Sequence, residues 1–377
     1  MKLNRIRAIA VKEALQIWRD PRSLMIALAM PFMQMCLLGY GVSVDIKHIP
    51  VCVWDQQANQ DSQDLLKRFQ SSQYFQVVGA FDNARAVTAA IDDGRCRVAL
   101  VIPPDFSARL GDSSRSAVQA LIDATDDNTA NIAIGYAQAI VSAYSADAWS
   151  EALSRRGVPA LAQPVALESR VWFNEALESR NFIVPGIVAI VMALVGAQLT
   201  SLTISREWER GTMELLVSTP VTPLELMIGK LAPYFGVGML DAFFCLGLAV
   251  FWFTVPFRGA LSTLLFATAL FLVVVLGIGY LLSVLIRSQL GASQIALLVT
   301  LLPTTMLSGY AFPIDQMPGV IQAITYLVHS RYYVTVLKAI FLKGAGVTEI
   351  AFPLAAMVVY AGLVTYLAAR AFRKTVD

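Results

Sequence analysis

Residues Phe182–Ile204 read FIVPGIVAIVMALVGAQLTSLTI, 23 positions without an ionisable side chain, bounded by Arg180 and Arg206. At about 1.5 Å of rise per residue, a helix of this length crosses the ~30 Å hydrocarbon core of a bilayer. Pro185 and Gly186 would count against a water-soluble helix, but packed membrane helices re-satisfy the backbone groups a proline frees. Comparable runs occupy Ser23–Val44, Leu231–Val255, Leu261–Ile286, Leu290–Tyr310 and Ile350–Ala369. The fold class expected is therefore a polytopic α-helical membrane protein with six transmembrane helices.

Composition agrees. Hydrophobic residues make up 56% of 377, charged residues only 15%, and mean hydropathy is +0.60, beyond ordinary globular usage. A net charge of +2 without clustered Lys and Arg on a polar surface excludes a nucleic-acid footprint. Lys2, Arg5, Arg7, Lys12, Arg19 and Arg22 precede the first apolar run, as in a secretory signal. That run is longer than a signal core, and Gly39-Tyr40-Gly41 lacks a small-x-small cleavage site, so retention as a span is expected.

Lys and Arg near span ends mark the cytoplasmic side. The amino-terminal cluster, Arg206, Arg210 and Lys230 after span two, Arg287 after span four, and Arg370, Arg373 and Lys374 after span six all fall on one side. Both termini are accordingly expected in the cytoplasm. Between spans three and four the other side has Arg258; Arg331, Lys338 and Lys343 in the external connector 311–349 run against the rule.

Residues 45–181, between spans one and two, then lie outside. Their pattern changes to short Val/Ile-rich strands at Ile49–Trp54, Phe75–Val78, Val98–Ile102 and Ala117–Ile122, with helical spacing at Asp61–Gln70, Asn83–Asp92 and Asp105–Leu110. Asp82 and Asp105 stand at capping positions. The order β-α-β-α-β-α-β predicts a large extracytoplasmic mixed α/β domain. A long helix, Asn128–Arg156, and a polar break, Gly157–Pro164, complete it as a stalk returning to the membrane. Cys52 and Cys96 lie in this outer domain, where a disulfide is permitted, and the sequence leaves open whether one forms. Cys36 and Cys245 fall within spans as small packing residues.

The stretch after span two is abruptly polar: Arg206-Glu207-Trp208-Glu209-Arg210-Gly211-Thr212-Met213-Glu214, then an apolar Leu215-Leu216-Val217. Farther on, Thr222-Pro223-Leu224-Glu225 reads as a helix start, with Thr222 as N-cap, Pro223 in the first turn and Glu225 closing a capping box. By charge pattern alone a solvated loop is favoured, with a short helix docking its Leu215-Leu216-Val217 patch in a partner's groove as the alternative.

The stretch resembles the cytoplasmic loop of permease subunits of ABC-2 type transporters, where E-x-E-x-G-T-x-E-x-L precedes T-P, E-L and G-K. Here these are Glu207, Glu209, Gly211, Thr212, Glu214, Leu216, Thr219-Pro220, Glu225-Leu226 and Gly229-Lys230. Leu307-Ser308-Gly309-Tyr310-Ala311-Phe312-Pro313-Ile314-Asp315-Gln316-Met317-Pro318 is similar to the family's outer L-S-G-x-x-F-P-I-x-x-M-P. Lys12-Glu13 with Arg19-Asp20-Pro21-Arg22 is similar to its interfacial helix, here 1–22, before the first span.

The resemblance implies the permease subunit of an ATP-binding cassette exporter, moving a drug-like or lipid-like substrate out of the cytoplasm or inner leaflet. No G-x-x-x-x-G-K-[ST] phosphate cradle occurs. The chain is thus expected to be a transport subunit, not an enzyme, binding no cofactor, with ATP and Mg held by a partner ATPase subunit. The implied setting is the bacterial inner membrane, multi-pass in lipid, with a second permease, the same or related, and a periplasmic adaptor. Carried over residue by residue, Glu207, Glu209, Arg210, Gly211, Thr212 and Glu214 in the loop 205–230 are the candidate ATPase-coupling contacts, with Arg206 pairing with an acidic neighbour.

Asp241 within span three is costly to bury in lipid and so is a candidate for the substrate pathway, as are the polar Gln198 and Gln294; Gln34 is similarly placed. A structural role for Asp241, bonded to a neighbouring hydroxyl, is the equal alternative. On the amino-terminal helix, Ile6, Ile9, Ala10, Ala14 and Ile17 form an apolar face with Lys12, Glu13 and Arg19 elsewhere. His329 lacks a second His or Cys at metal-ligand spacing, so it reads as a surface or pore-rim residue and no metal site is expected. Two other classes are a membrane-anchored ligand sensor, which needs no six-span bundle, and an intramembrane hydrolase, which needs paired catalytic groups where Asp241 stands alone.

Overall fold

The computed structural model describes residues 2–21, 25–41, 48–110, 118–155, 172–174 and 178–372. The chain divides into two compact units, a helical one formed by Met1–Ser43 with Arg170–Asp377, and Val44–Ser169. Helix α1 covers Leu3–Arg19 and α2 covers Met30–Gly41, preceded by a π-helical turn at Met25–Ala29. The expected first span, Ser23–Val44, falls partly outside the described residues, as do Arg22, Arg373, Lys374 and the Gly157–Pro164 break.

The second unit holds a four-stranded sheet in the order β2-β1-β3-β4, with β1 (Ile49–Asp55), β2 (Phe75–Ala80), β3 (Val98–Ile102) and β4 (Gln119–Ile122). The first three strands pair in parallel and β4 runs antiparallel to β3. Helices α3 (Gln60–Ser71), α4 (Ala84–Asp92) and α5 (Phe106–Leu110) connect them, and α6 (Asp127–Arg155) follows. Alternation sorts the side chains: Val51, Val53, Val98 and Leu100 pack with Leu65 and Phe69 of α3 and Tyr144 of α6, while Cys52 and Ala99 face Val87 and Ala90 of α4. All of β3 is buried, as expected of a strand covered on both faces.

Two details differ from the sequence reading. Helix α4 is capped by Asn83, not Asp82: its extended backbone lets the amide oxygen accept from the Ala86 N–H at 2.8 Å. Helix α6 packs on the sheet's helices and does not stand off as a stalk. Its Tyr144 hydroxyl donates to the Asp61 carbonyl at 3.0 Å, Tyr136 stacks on Tyr74, and Arg68 pairs with Asp147 at 2.8 Å. Burial pushes the Tyr144 phenol up to about 12. Cys52 and Cys96 form a disulfide, with Cα atoms 5.7 Å apart. It joins β1 to the turn before β3 within the α4-facing layer, which settles the pairing the sequence left open.

The helical unit continues with α7 (Ser179–Glu209), α8 (Met213–Ser218), α9 (Pro223–Gly247), α10 (Leu261–Leu285), α11 (Gln289–Leu307), α12 (Gly319–Thr325), α13 (His329–Lys338) and α14 (Ala351–Ala371). Among the described residues five helices are long and apolar enough to cross a membrane: α7, α9 with its π-helical extension to Trp252, α10, α11 and α14. Helix α7 is the hub. It is buried along most of its length, against α2, α9, α10, α11 and α13. Small residues permit that closeness, since a Cβ on Gly279 of α10 would lie 2.1 Å from Thr200 Oγ1 and 2.5 Å from the Ala197 carbonyl.

In the connector 311–349, α13 packs inward with Tyr332, Tyr333 and Val336 buried. His329 is buried too, its ring 5.8 Å from that of Phe271, which corrects the expectation of a surface or rim histidine. The cations that broke the charge rule each meet an aromatic face: Arg331 lies 3.8 Å from the Tyr326 ring centroid, Lys338 3.2 Å from that of Phe182, and Lys343 5.9 Å from that of Phe173. Lys338 also donates to the Gly309 carbonyl at 2.7 Å, which ties the Leu307–Pro318 motif to α13.

Candidate functional site

The polar stretch after span two is less of a loop than its composition implies. Helix α7 continues through Arg206, Glu207 and Glu209, and α9 begins at Pro223, so 210–222 are left as connector around the short α8. The capping box accounts for the early start of α9. Thr222 Oγ1 accepts from the Glu225 N–H at 3.3 Å, and Glu225 Oε2 accepts from the Thr222 N–H at 3.0 Å. At the other end, Ser283 Oγ of α10 accepts from the backbone N–H groups of Ile204 at 2.7 Å and Ser205 at 2.9 Å, which fixes the last turns of α7.

From those turns Glu207 enters a buried charge cluster. Lys230 Nζ, only 1% exposed, lies 2.5 Å from Glu13 Oε1 and 3.1 Å from Glu207 Oε1, and donates to the Thr203 carbonyl at 3.2 Å. Lys12 Nζ reaches the same Glu207 oxygen at 2.9 Å, and Thr212 Oγ1 donates to its other oxygen. Two cations thus face two carboxylates, the condition under which buried charge is tolerated. Glu13 was expected away from the apolar face of α1; it is buried nonetheless, because its cation lies on α9. Gly229 makes the approach possible, since a Cβ there would fall 2.8 Å from Ile9 Cβ and 3.2 Å from the Ile6 carbonyl.

Further bonds fasten α1 to the same region. The Lys2 N–H donates to Glu225 Oε1 at 2.6 Å, Arg5 donates to the Pro220 carbonyl, and Arg206 pairs with Asp20 at 3.5 Å. Glu209 accepts from the Gln289 N–H at 2.7 Å at the start of α11, and Arg287 lies 4.5 Å from the Trp208 ring centroid.

The six candidate coupling residues therefore divide. Glu207 is buried and Thr212 half-buried, both within the cluster, whereas Glu209, Arg210, Gly211 and Glu214 are exposed beside Leu215, which is 70% exposed. Gly211 adopts φ +67°, the left-handed region that glycine enters without penalty, and turns the chain from α7 into α8. The sequence named Lys12-Glu13 and Gly229-Lys230 as matched pairs but gave no sign that they meet. Their separation of some 217 positions hides the contact.

The pathway candidates also separate. Gln198 of α7 and Gln294 of α11 line one groove of about 310 Å³ with Ser293, Leu297 and Leu298. Asp241 is elsewhere, buried between α7, α9 and α10 among Val191, Val195, Tyr234 and Leu272, its Oδ2 without a hydrogen-bond partner among the described residues. Gln34 Oε1 on α2 is likewise buried without one. Among the described residues no group of three or more His, Cys, Asp or Glu side chains is placed to hold a metal ion.

Residues 22–370 match the model of the ABC-2 family transporter protein. The chain is 38% identical over 365 residues to the probable multidrug ABC transporter permease YbhS of Escherichia coli, covering 96% of this chain and 95% of that one. It is 27% identical to the probable multidrug ABC transporter permease YbhR of the same organism, over 91% of each chain, and 28% identical to its inner membrane transport permease YhhJ, over 87% of this chain and 86% of that one. With the match running from the end of α1 to the last turn of α14, the chain belongs to the ABC-2 family of transporter proteins.

Proposed function

We propose that this protein is the permease subunit of an ABC exporter, moving a drug-like or lipid-like substrate out of the cytoplasm or inner leaflet. In this reading Ser23–Val44 is a sixth span beside the five apolar helices, and both termini lie in the cytoplasm. Residues 45–181 then face outward, toward a periplasmic adaptor, from the bacterial inner membrane. A separate ATPase subunit binds and hydrolyses ATP with Mg, and a second permease, identical or related, completes the pathway. The similarity to the probable multidrug permease YbhS supports a drug-like substrate, and an oxidised Cys52–Cys96 pair suits an extracytoplasmic compartment.

One observation carries the coupling role. An exposed tip, formed by Glu209, Arg210, Gly211, Glu214 and Leu215, sits on a helix end whose next inward carboxylate, Glu207, is locked to α1 and α9. A push on the tip by the ATPase is transmitted to three helices at once, because a cluster held by charges on all three does not yield at one of them. Exposed Glu214 and Leu215 supply the contact, and Gly211 the turn that presents it.

The test is purification of the full complex with mass measurement of every subunit, followed by ATPase and efflux assays of Glu214→Ala and Gly211→Pro. Proline fixes φ near −65°, which the observed +67° at Gly211 cannot accept. Both variants are expected to insert in the membrane yet lose substrate-stimulated hydrolysis and efflux. Normal coupling in both would remove the tip from the mechanism, and failure to capture any ATPase would remove the exporter reading itself.

A further inference from the structure

We propose that the cleft between α1, α7 and α11 binds the phosphate headgroup of an anionic membrane lipid. The cleft, about 770 Å³, is lined by Gln16, Arg19, Asp20, Arg206, Arg210 and Ser293 among others. Three guanidinium groups face one carboxylate there. Asp20 is engaged by Arg206 at 3.5 Å, while Arg19 and Arg210 are exposed and have no ion-pair partner among the described residues. Guanidinium forks match the oxygens of a phosphate in a way that ammonium groups do not.

Two further features select a lipid over other phosphates. Helix α1 buries Glu13 and Ile17 and leaves Val11, Leu15 and Trp18 exposed on the opposite side, Trp18 by 77%. An exposed apolar stripe ending in Trp, directly before Arg19, is the signature of a helix lying at headgroup level. The second feature is the groove that shares Ser293 with the cleft and passes Gln198, Gln294, Leu297 and Leu298 between α7 and α11. A ligand with a phosphate at one end and an acyl chain at the other fills both spaces.

The inference rests on the reading of the chain as a membrane permease with α1 at the cytoplasmic surface. Its test reads lipid retention, not transport, so the two can fail separately. Wild-type protein, Arg19→Ala/Arg210→Ala and Arg19→Lys/Arg210→Lys would be purified in neutral detergent. Each would be mixed with equal phosphatidylglycerol and phosphatidylcholine, and bound lipid counted by native mass spectrometry. The wild type is expected to retain phosphatidylglycerol preferentially, and the double alanine variant to lose roughly thirtyfold of that preference, the effect of two arginines near an anionic headgroup. The lysine variant is expected to keep part of it. Equal phosphatidylglycerol retention by the wild type and the alanine variant would overturn the proposal. So would displacement of the lipid by inorganic phosphate at matched concentration, which marks a free-phosphate site. Loss of ATPase capture in the alanine variant with lipid retention unchanged marks a protein dock and would overturn it as well.

Discussion

Replacing Lys230 with Met isolates the charge cluster that joins α1, α7 and α9. Lys230 Nζ lies 2.5 Å from Glu13 Oε1 and 3.1 Å from Glu207 Oε1 and is 1% exposed, so no water stands ready to take its place. Met is close in volume, and the loss is therefore of charge and not of packing. Glu207 keeps Lys12 at 2.9 Å and the Thr212 hydroxyl, but Glu13, 2% exposed, loses its cation. Removing one partner of a buried pair costs roughly 3–5 kcal/mol, most of it the penalty of the charge left behind. The same reasoning makes Lys230→Met/Glu13→Gln less damaging than Lys230→Met alone, with a coupling of about 2 kcal/mol, since the orphaned charge is gone. Equilibrium unfolding in mixed micelles with sodium dodecyl sulfate, followed by far-ultraviolet circular dichroism, measures both. A single variant within about 0.5 kcal/mol of wild type, the range of ordinary surface substitutions, would refute the reasoning. A double variant no more stable than the single one would refute it equally.

Gly279→Ala should destabilise by about 1–3 kcal/mol in the same unfolding assay, because the added methyl meets Thr200 and the Ala197 carbonyl of α7. Cys52→Ala/Cys96→Ala opens a bridge across a sequence separation of 44, which should cost the α/β unit about 2–4 kcal/mol, checked by unfolding with and without reductant. Thr222→Ala removes the N-cap of α9 and should cost about 1 kcal/mol, while Thr222→Ser should retain most of the stability. Asp241→Asn, compared in efflux of cationic and neutral compounds, should reduce cation export selectively if the carboxylate lines the pathway; equal losses for both would assign it a structural role.

Much of this protein is legible in its sequence because the dominant signals are local. An uninterrupted apolar run of about 20 residues satisfies its own backbone only as a helix in lipid, and α7, α10, α11 and α14 lie close to where those runs stand. Alternation and turn residues likewise gave all four strands and three connecting helices of the α/β unit, and the Thr222-Pro223-Leu224-Glu225 cap is a contact within four residues. The family motifs pointed to the charged stretch from Arg206 onward.

What tertiary structure alone decided depends on groups far apart in the chain. Glu13 reads as a solvated charge until Lys230 is brought to it, and the ties of Glu207 to α1 and α9 appear only when Lys12, Lys230 and Thr212 close around it. His329 is hidden by the inward packing of α13, the disulfide by the register that sets β1 beside β3, and the Arg19–Arg210 cleft by the meeting of three helices. A charge in a sequence has no fixed environment. The cost of burying it is offset only by the partner that the fold delivers, and no periodicity along the chain encodes who that partner is.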